Sequence, residues 1–205
     1  MQKILIFPYN GNALEAIDCL GKKFELIGFI DDTPEKQGEQ KNGLKVYSRS
    51  ALTAFPDAKI LAVPGSPLTY LQRKESIESL NVPDNRFVSV IHPNASLSPL
   101  AKMGYNLLIM AGVVITSNAE LGNHVCILPN TVIHHDVKIG DLVLIGSNVT
   151  LAGGAILGTN CYIGSGSNIM NGIQIGEKTL IGIGSNVISN IAPFTKAAGN
   201  PARQL

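Results

Sequence analysis

The chain has 205 residues, with 16 Lys and Arg against 15 Asp and Glu and a formal net charge of +1. This balance gives no support for a nucleic acid or an anionic membrane as a partner. The longest apolar run, residues 107–115, is too short to span a bilayer, and residues 1–8 lack the apolar core and cleavage site of a signal peptide. Cys19, Cys126 and Cys161 form no C-x-x-C pair, so we expect buried free thiols in a cytoplasmic protein.

Strands and helices alternate over residues 1–90. Apolar runs predict strands at 3–7, 24–30, 59–63 and 87–91, and amphipathic stretches predict helices at 13–20 and 68–80. Residues 1–90 hold 11 Lys and Arg and 11 Asp and Glu, whereas residues 91–205 hold only 5 and 4. We therefore interpret residues 1–90 as a small α/β domain with a parallel sheet and residues 91–205 as a weakly charged rod.

Ligands of such sheets bind beyond the carboxyl ends of the strands. Those ends carry Asn10-Gly11-Asn12, the pair Asp31-Asp32, and Pro64-Gly65. A loop that opens a helix offers backbone N–H groups to phosphate, and an acidic pair about twenty residues later can accept hydrogen bonds from a ribose or a base. The fingerprint G-x-G-x-x-G is absent, which argues against a nicotinamide or flavin and favours a nucleotide carried on another group. A solvated turn that caps the strand explains Asp31-Asp32 equally well.

An aliphatic residue recurs at every sixth position from residue 91 to residue 187 without interruption. A period of six fits neither a helix nor simple alternation, and it predicts a parallel β-helix built from hexapeptides. Gly, Asn and small or β-branched residues in the other columns fit tight corners and a filled interior. Three hexads then form one triangular coil of 18 residues. The ladder consists of Ile91, Leu97, Met103, Ile109, Ile115, Leu121, Ile127, Ile133, Ile139, Ile145, Leu151, Leu157, Ile163, Ile169, Ile175, Ile181 and Val187.

One short segment of the rod has the residues for acid–base chemistry. His134, His135 and Asp136 follow the ladder residue Ile133 directly. Imidazole titrates near neutrality, and a neighbouring carboxylate that holds the ring makes it a competent general base. Elsewhere the column of His135 holds Ser, Asn, Gly and Pro, so the repeat does not require a histidine there. A surface histidine without a catalytic role is the competing interpretation.

These features together resemble the left-handed β-helix acyltransferases of the hexapeptide-repeat superfamily. More closely, the chain resembles the PglD-like and NeuD-like sugar acetyltransferases, in which a small Rossmann-like domain precedes the helix. The resemblance covers essentially the whole chain. It rests on the ladder, on Gly28-Phe29-Ile30-Asp31-Asp32, on Ile91-His92-Pro93, on residues 132–140 and on Gly199-Asn200-Pro201-Ala202-Arg203.

The resemblance implies transfer of an acetyl group from acetyl-CoA to a nucleotide-linked 4-amino-4,6-dideoxy sugar by a homotrimer, in surface-glycan biosynthesis and without a metal. It implies that His135 is the catalytic base, that Asp136 orients it, and that Gly153 offers its N–H to the oxyanion. The implied acetyl-CoA contacts are Gly153, Ser165, Ile183, Gly199, Asn200, Pro201 and Arg203. The implied nucleotide-sugar contacts are Asn10, Gly11, Asn12, Asp31, Asp32, Pro64 and Gly65.

Two positions depart from the family pattern: Asn12 and Leu144 stand where members often have histidine. Three other functions stay open at this point. One is O-acetylation of a sialic acid or another free sugar. Another is a metal-dependent lyase like the γ-carbonic anhydrases, with His124, His134 and His135 as ligands across a subunit boundary. The last is a β-helical binding scaffold without enzymatic activity.

Overall fold

The computed structural model describes residues 1–40 and 43–205. The first part of the chain contains strands β1 (Gln2–Phe7), β2 (Phe24–Ile30), β3 (Gly38–Glu39), β4 (Lys45–Tyr47) and β5 (Lys59–Ala62), and helices α1 (Gly11–Glu15), α2 (Ala51–Ala54) and α3 (Arg73–Glu78). The strands form one sheet in the order β3-β4-β2-β1-β5. β1 is parallel to β2 and β5, β4 is parallel to β2, and only β3 runs antiparallel. The predicted parallel sheet is therefore confirmed.

The observed elements differ from the predicted ones in several details. The helix predicted at 13–20 is α1 followed by a 3-10 turn at Ala16–Cys19, and the helix predicted at 68–80 begins with a 3-10 turn at Tyr70–Gln72. β4 and α2 were not predicted, because elements of three and four residues are too short to show a periodicity. The predicted strand 87–91 does not join the sheet. Phe87 forms a single bridge with Ile60, and only Val90–Ile91 is a strand, which pairs with the coils.

The rod is a parallel β-helix of seventeen two-residue strands, each ending at a ladder residue. Residues 18 apart pair in register, as in Ile109 with Ile127 and Ile127 with Ile145, so the strands stack into three sheets. The strands, β6 to β22, are Val90–Ile91, Ser96–Leu97, Lys102–Met103, Leu108–Ile109, Val114–Ile115, Glu120–Leu121, Cys126–Ile127, Val132–Ile133, Lys138–Ile139, Leu144–Ile145, Thr150–Leu151, Ile156–Leu157, Tyr162–Ile163, Asn168–Ile169, Gln174–Ile175, Leu180–Ile181 and Asn186–Val187.

The ladder residues fill the interior of the rod. From Ile109 to Val187 all are buried, whereas Ile91 and Met103 of the first coil keep about a third of their surface exposed, since no coil stacks beyond them. Hydroxyls in the second interior column donate to backbone carbonyls, for example Thr131 Oγ1 to Gly146 O at 2.7 Å and Ser167 Oγ to Gly182 O at 3.0 Å. These small polar groups are therefore satisfied inside an otherwise apolar core.

The coils turn at residues in the left-handed region of backbone space. The third residue after each ladder aliphatic has a positive φ at fourteen successive positions from Asn106 to Gly184. Asn and Gly were predicted there, but histidine, aspartate, leucine and lysine adopt the same conformation. Stacked coils align these residues into corner 1 (Asn106, His124, Leu142, Asn160, Lys178), corner 2 (Gly112, Asn130, Asn148, Gly166, Gly184) and corner 3 (Asn118, Asp136, Gly154, Gly172).

The last coil is shorter than the others. Leu180 pairs with Lys196 rather than with a residue 18 positions later, and β23 (Lys196–Gly199) extends the sheet that begins at β6. The chain then reverses at a cis Asn200–Pro201 bond, and β24 (Ala202–Gln204) pairs antiparallel with β23.

The α/β part packs directly against the rod. Leu108, Met110, Cys126 and Leu144 point outward from the coils and are buried in one apolar cluster with β1 and the first helical segment. Cys19, Cys126 and Cys161 are free and buried, as predicted, and burial raises the pKa of the Cys126 thiol to about 12. Among the residues that the structure describes, no helix is long and apolar enough to cross a membrane. The division of the chain at residue 90 stays a prediction.

Candidate active site

His135 and Asp136 lie side by side at corner 3. Ile133 points into the core and the chain then turns, so both following side chains reach the surface, with 62% and 56% of their side-chain area exposed. His135 Nδ1 and Asp136 Oδ2 are 2.7 Å apart, and Asn118 Nδ2 donates to the other carboxylate oxygen at 3.1 Å. These two hydrogen bonds, from His135 first and Asn118 second, lower the pKa of Asp136. An ionised Asp136 accepts from Nδ1–H, which leaves the lone pair of the imidazole on Nε2.

Gly153 lies against the free edge of the imidazole. A Cβ at this position would fall 2.5 Å from His135 Nε2 and 2.6 Å from Cε1, so only glycine fits beside the ring as it stands. Gly154 N donates to His135 O at 2.9 Å and fixes the two coils relative to each other. The sequence therefore places an unobstructed backbone next to the nitrogen that carries the lone pair.

The N–H of Gly153 makes no hydrogen bond to any residue that the structure describes. At three positions of the other corners the equivalent N–H is covered by a side chain from the next coil. Tyr105 N donates to Asn123 Oδ1 at 3.1 Å, Asn123 N to Asp141 Oδ1 at 2.6 Å, and Ser147 N to Ser165 Oγ at 3.1 Å. An available donor beside a general base is the arrangement that stabilises an oxyanion in acyl transfer.

The residues predicted to contact acetyl-CoA lie mostly elsewhere. Ser165 and Ile183 precede corner 2, one coil apart, and Ile183 is 78% exposed. Gly199 is joined to this region, since its N–H donates to Ser185 Oγ at 3.2 Å. Asn200, Pro201 and Arg203 follow in the turn and strand after it. Within one chain these residues do not meet His135, which lies at a different corner.

The loops after β1 and β5 meet over the surface of the rod. Asn10 caps α1 by accepting from Ala13 N at 2.9 Å, and its amide donates to Val63 O at 3.2 Å. The two loops form a groove of about 280 Å³ whose far wall is the apolar outer face of three successive coils. The lining residues are Asn10, Gly11, Asn12, Gly65, Ser66, Pro67, Leu128, Leu144 and Tyr162. A neighbouring cavity of about 330 Å³ shares this loop and reaches Pro64 and Arg73.

Asp31 and Asp32 are already hydrogen-bonded within the chain. Asp31 is 5% exposed and accepts from Lys36 Nζ at 2.8 Å and from Thr33 N at 3.0 Å. Burial alone would raise its pKa, but these donors lower it. Asp32 accepts from Arg49 N at 3.0 Å and pairs with the Arg49 guanidinium. Both carboxylates are thus engaged within the chain, Asp31 is buried rather than solvated, and the contact with a nucleotide stays a prediction.

The three histidines of the metal hypothesis are separated within one chain. His124 sits at corner 1, with its ring packed between Phe87 and Tyr105, and its Nδ1 lies 2.9 Å from Asn106 Nδ2. His134 and His135 lie at or before corner 3. Among the residues that the structure describes, no group of three histidine, cysteine or acidic side chains is placed to hold a metal ion.

Two residues near these sites were not predicted from the sequence. Asn118 holds Asp136, and its position 18 residues earlier, one coil before, is a signal that the repeat provides. Arg73 lies under the loop after β5, and no local pattern distinguishes it, because its partners are distant in sequence.

Comparisons with known proteins support the fold. Residues 118–153 and 136–171 match the family model "Bacterial transferase hexapeptide (six repeats)". A search of curated proteins found no match. Three solved structures align over 100% of this chain. One is a mutant perosamine N-acetyltransferase from Caulobacter crescentus, in complex with CoA and GDP-perosamine (22% identity, 97% of that chain, TM-score 0.88). The others are the acetyltransferase domain of PglB from Neisseria gonorrhoeae (24%, 100%, 0.85) and WeeI from Acinetobacter baumannii (21%, 100%, 0.77).

At these identities the likeness establishes the architecture. The predicted fold class, a Rossmann-like α/β part followed by a left-handed parallel β-helix of hexapeptide repeats, is confirmed.

Proposed function

We propose that this protein is an acetyl-CoA-dependent N-acetyltransferase that acts on a nucleotide-linked 4-amino-4,6-dideoxy sugar. The observation that carries the proposal is the His135–Asp136 pair at 2.7 Å, with the lone-pair edge of the imidazole over Gly153. The shared architecture with an enzyme that holds CoA and GDP-perosamine supports the choice of substrates. A scaffold protein would not need a histidine that is held by a carboxylate over a glycine of the next coil.

In the proposed transfer, His135, Asp136 and Gly153 accept or stabilise each proton and charge that moves. The neutral amine of the sugar attacks the thioester carbonyl and loses a proton to His135 Nε2, while Asp136 stabilises the imidazolium that forms. The N–H of Gly153 donates to the oxygen that gains negative charge. When the C–S bond breaks, the proton passes from His135 to the leaving sulfur, which yields CoA and the N-acetylated sugar. His135 thus returns to its starting state.

We further propose a homotrimer in which residues from two corners of neighbouring chains complete one site. His135 at corner 3 and Ser165 at corner 2 do not meet within one chain. The sheet that ends at corner 3 has no charged residue at its outward positions, as expected for a face between copies. Those positions are Ser96, Ser98, Val114, Thr116, Val132, His134, Thr150, Ala152, Asn168, Met170, Asn186 and Ile188. The next sheet, by contrast, exposes Lys102, Glu120 and Lys138.

The remaining assignments belong to the same proposal. Gly199, Asn200, Pro201 and Arg203 would hold CoA with Ser165 and Ile183, and the groove of Asn10 to Asn12 and Gly65 would hold the nucleotide-linked sugar. The three buried free thiols support a reducing compartment, so we place the protein in the cytoplasm, on a route to surface glycans.

A second candidate is O-acetylation of a sialic acid or another free sugar. It is favoured by one observation: Asp31 and Asp32 are each paired with a basic side chain of the same chain. This alternative predicts no binding of UDP, dTDP or GDP.

Release of CoA, measured with UDP-, dTDP- and GDP-linked amino sugars and with free sialic acid, tests both candidates. We expect turnover with one nucleotide-linked amino sugar and a loss of at least about 10²-fold in His135→Ala. His92→Ala serves as the matched control, because His92 lies at the entrance of the rod, where its ring Nδ1 accepts from Asn94 N at 3.0 Å. Full activity of His135→Ala would refute the mechanism.

A further inference from the structure

Residues 70–73 run along corner 1 and bond to four successive coils. Two contacts come from Tyr70 and Leu71, and two come from a single arginine side chain. They are Tyr70 Oη to Lys178 O at 3.1 Å, Asn160 Nδ2 to Leu71 O at 3.3 Å, Arg73 Nε to Leu142 O at 3.0 Å, and Arg73 Nη2 to His124 O at 2.6 Å. The segment therefore fixes the α/β part to the rod over most of the rod's length.

Arg73 is an unusual member of this segment. Its side chain is 1% exposed, and its three hydrogen-bond partners among the described residues are backbone carbonyls rather than a carboxylate. Burial lowers the pKa of the guanidinium to about 10, so the group stays charged at neutral pH. A buried charge without a counter-charge is costly unless its hydrogen bonds are made. The carbonyls at the two corners are therefore required partners of this residue.

The third partner of Arg73 belongs to the substrate groove. Its Nη1 donates to Pro64 O, at the start of the loop that lines the groove. The next residue, Gly65, has a φ of 117°, and a Cβ there would lie 2.9 Å from Arg73 Cγ. The loop thus rests on the arginine side chain. One guanidinium connects the wall of the groove to two coils of the rod.

We propose that Arg73 is a positioning residue for the nucleotide part of the substrate, acting through the Pro64–Gly65 loop. This inference rests on the proposed function, because the groove is taken to hold the nucleotide-linked sugar. Arg73 holds the loop at a set distance from the outer face of the rod, on which Leu128, Leu144 and Tyr162 form the opposite wall. A lysine has one nitrogen and cannot reach three carbonyls in different directions.

The test compares Arg73→Lys with a matched arginine that does not touch the groove. Arg86 also donates only to carbonyls, those of Leu52, Phe55 and Ala58, and it stays within the α/β part. We expect Arg73→Lys to raise KM for the nucleotide-linked sugar about tenfold, with kcat and KM for acetyl-CoA within about twofold of wild type. Arg86→Lys should lower the melting temperature without changing this KM. Equal KM values in wild type and Arg73→Lys would overturn the proposal.

Amide hydrogen exchange on the full chain provides a readout that does not depend on turnover. Arg73→Lys should speed exchange in residues 64–69 by about tenfold or more and leave residues 51–58 unchanged, whereas Arg86→Lys should do the reverse. Unchanged exchange in residues 64–69 would overturn the anchoring role. If wild type uses no nucleotide-linked sugar, the proposed function and the nucleotide assignment are wrong, yet the exchange data still decide whether Arg73 holds the loop.

A second variant, which leaves Arg73 in place, keeps the proposal testable if Arg73→Lys does not fold. If Arg73→Lys does not fold, Gly65→Ala replaces it, because a methyl group 2.9 Å from Arg73 Cγ must displace the loop or the arginine. We expect the same increase in exchange over residues 64–69. No increase in a folded Gly65→Ala protein would contradict the contact on which the proposal depends.

Discussion

The variant Gly153→Ala tests whether the position of the proposed catalytic base matters for activity, because it should move the imidazole of His135 without destabilising the coil. The added Cβ would lie 2.5 Å from His135 Nε2, and all three of its nearest neighbours are atoms of this ring. Ordinary contact begins near 3.4 Å, so the ring must move by about 0.9 Å. Since the ring is 62% exposed, it can move outward instead of pushing on the backbone. Gly153 is also outside the left-handed region, so alanine suits its backbone.

We expect a large loss of activity with little loss of stability. A misplacement of about 1 Å can cost about 10²-fold in rate, equivalent to about 2.7 kcal/mol in the activation free energy. The free energy of unfolding should change by no more than about 1 kcal/mol, because a compatible Gly-to-Ala change restricts the unfolded chain and no buried group is disturbed. Steady-state release of CoA measures the first quantity, and urea unfolding followed by circular dichroism measures the second.

A double-mutant cycle with His135→Ala controls for other effects of the methyl group. If the methyl acts through the imidazole, Gly153→Ala should cost nothing further in activity once His135 is alanine. Wild-type activity in Gly153→Ala would show that the ring is not held over Gly153 for catalysis. A further loss in the double variant would show that the methyl blocks substrate instead.

Three further predictions concern neighbouring contacts. Asp136→Asn should fold normally, since asparagine tolerates the φ of 60° at this corner, yet kcat should fall by about 10²-fold or more because the imidazolium loses its anion. Asn106→Ala should lower the free energy of unfolding by about 2–4 kcal/mol in urea titrations, because it leaves the buried N–H and C=O of Ala62 without their side-chain partners. Burial, and then Arg73, lower the pKa of His124 below 6.5, so the unfolded chain binds more protons there and wild-type stability should fall as the pH drops below 6.5. His124→Gln should flatten that fall, and an unchanged pH dependence would contradict it.

The rod could be predicted in detail because its sequence repeats. Each hexad carries the same information about one strand and one corner, so seventeen weak signals support each other. The α/β part offers no such redundancy. Its sheet was predicted from apolar runs, but β4 is three residues long with only Val46 buried, and no pattern is visible at that length.

The residues of the candidate site also fall into those that could be predicted from the sequence and those that could not. His135 and Asp136 were predicted from their adjacency and Gly153 from the family resemblance, and the structure brings all three together. Their catalytic roles stay predictions. Arg73 could not be found, because its partners lie in Pro64, His124 and Leu142 and only the packing of the two parts brings them together.

The absence of glycine from corner 1 is a sequence signal for that packing. Corner 1 contains no glycine between Asn106 and Lys178, whereas corners 2 and 3 contain five between them. Glycine is the least strained residue in this conformation. A corner in which every coil has a residue other than glycine therefore indicates contacts that offset the strain. All five corner 1 residues do contact the α/β part. We expect a glycine-free corner in other hexapeptide sequences to indicate a docked domain.

The reversed final strand has a consequence for how the molecule behaves at high concentration. An open end of stacked parallel strands is a template on which another molecule could continue the stack and grow a fibre. Here β24 presents an edge of opposite direction, and the last coil is two residues short of the common length. A coil added at this edge would meet an antiparallel strand and a coil two residues shorter than its own. The strand β24 therefore leaves this sheet, one of the three of the rod, without a parallel edge on which a further coil could stack.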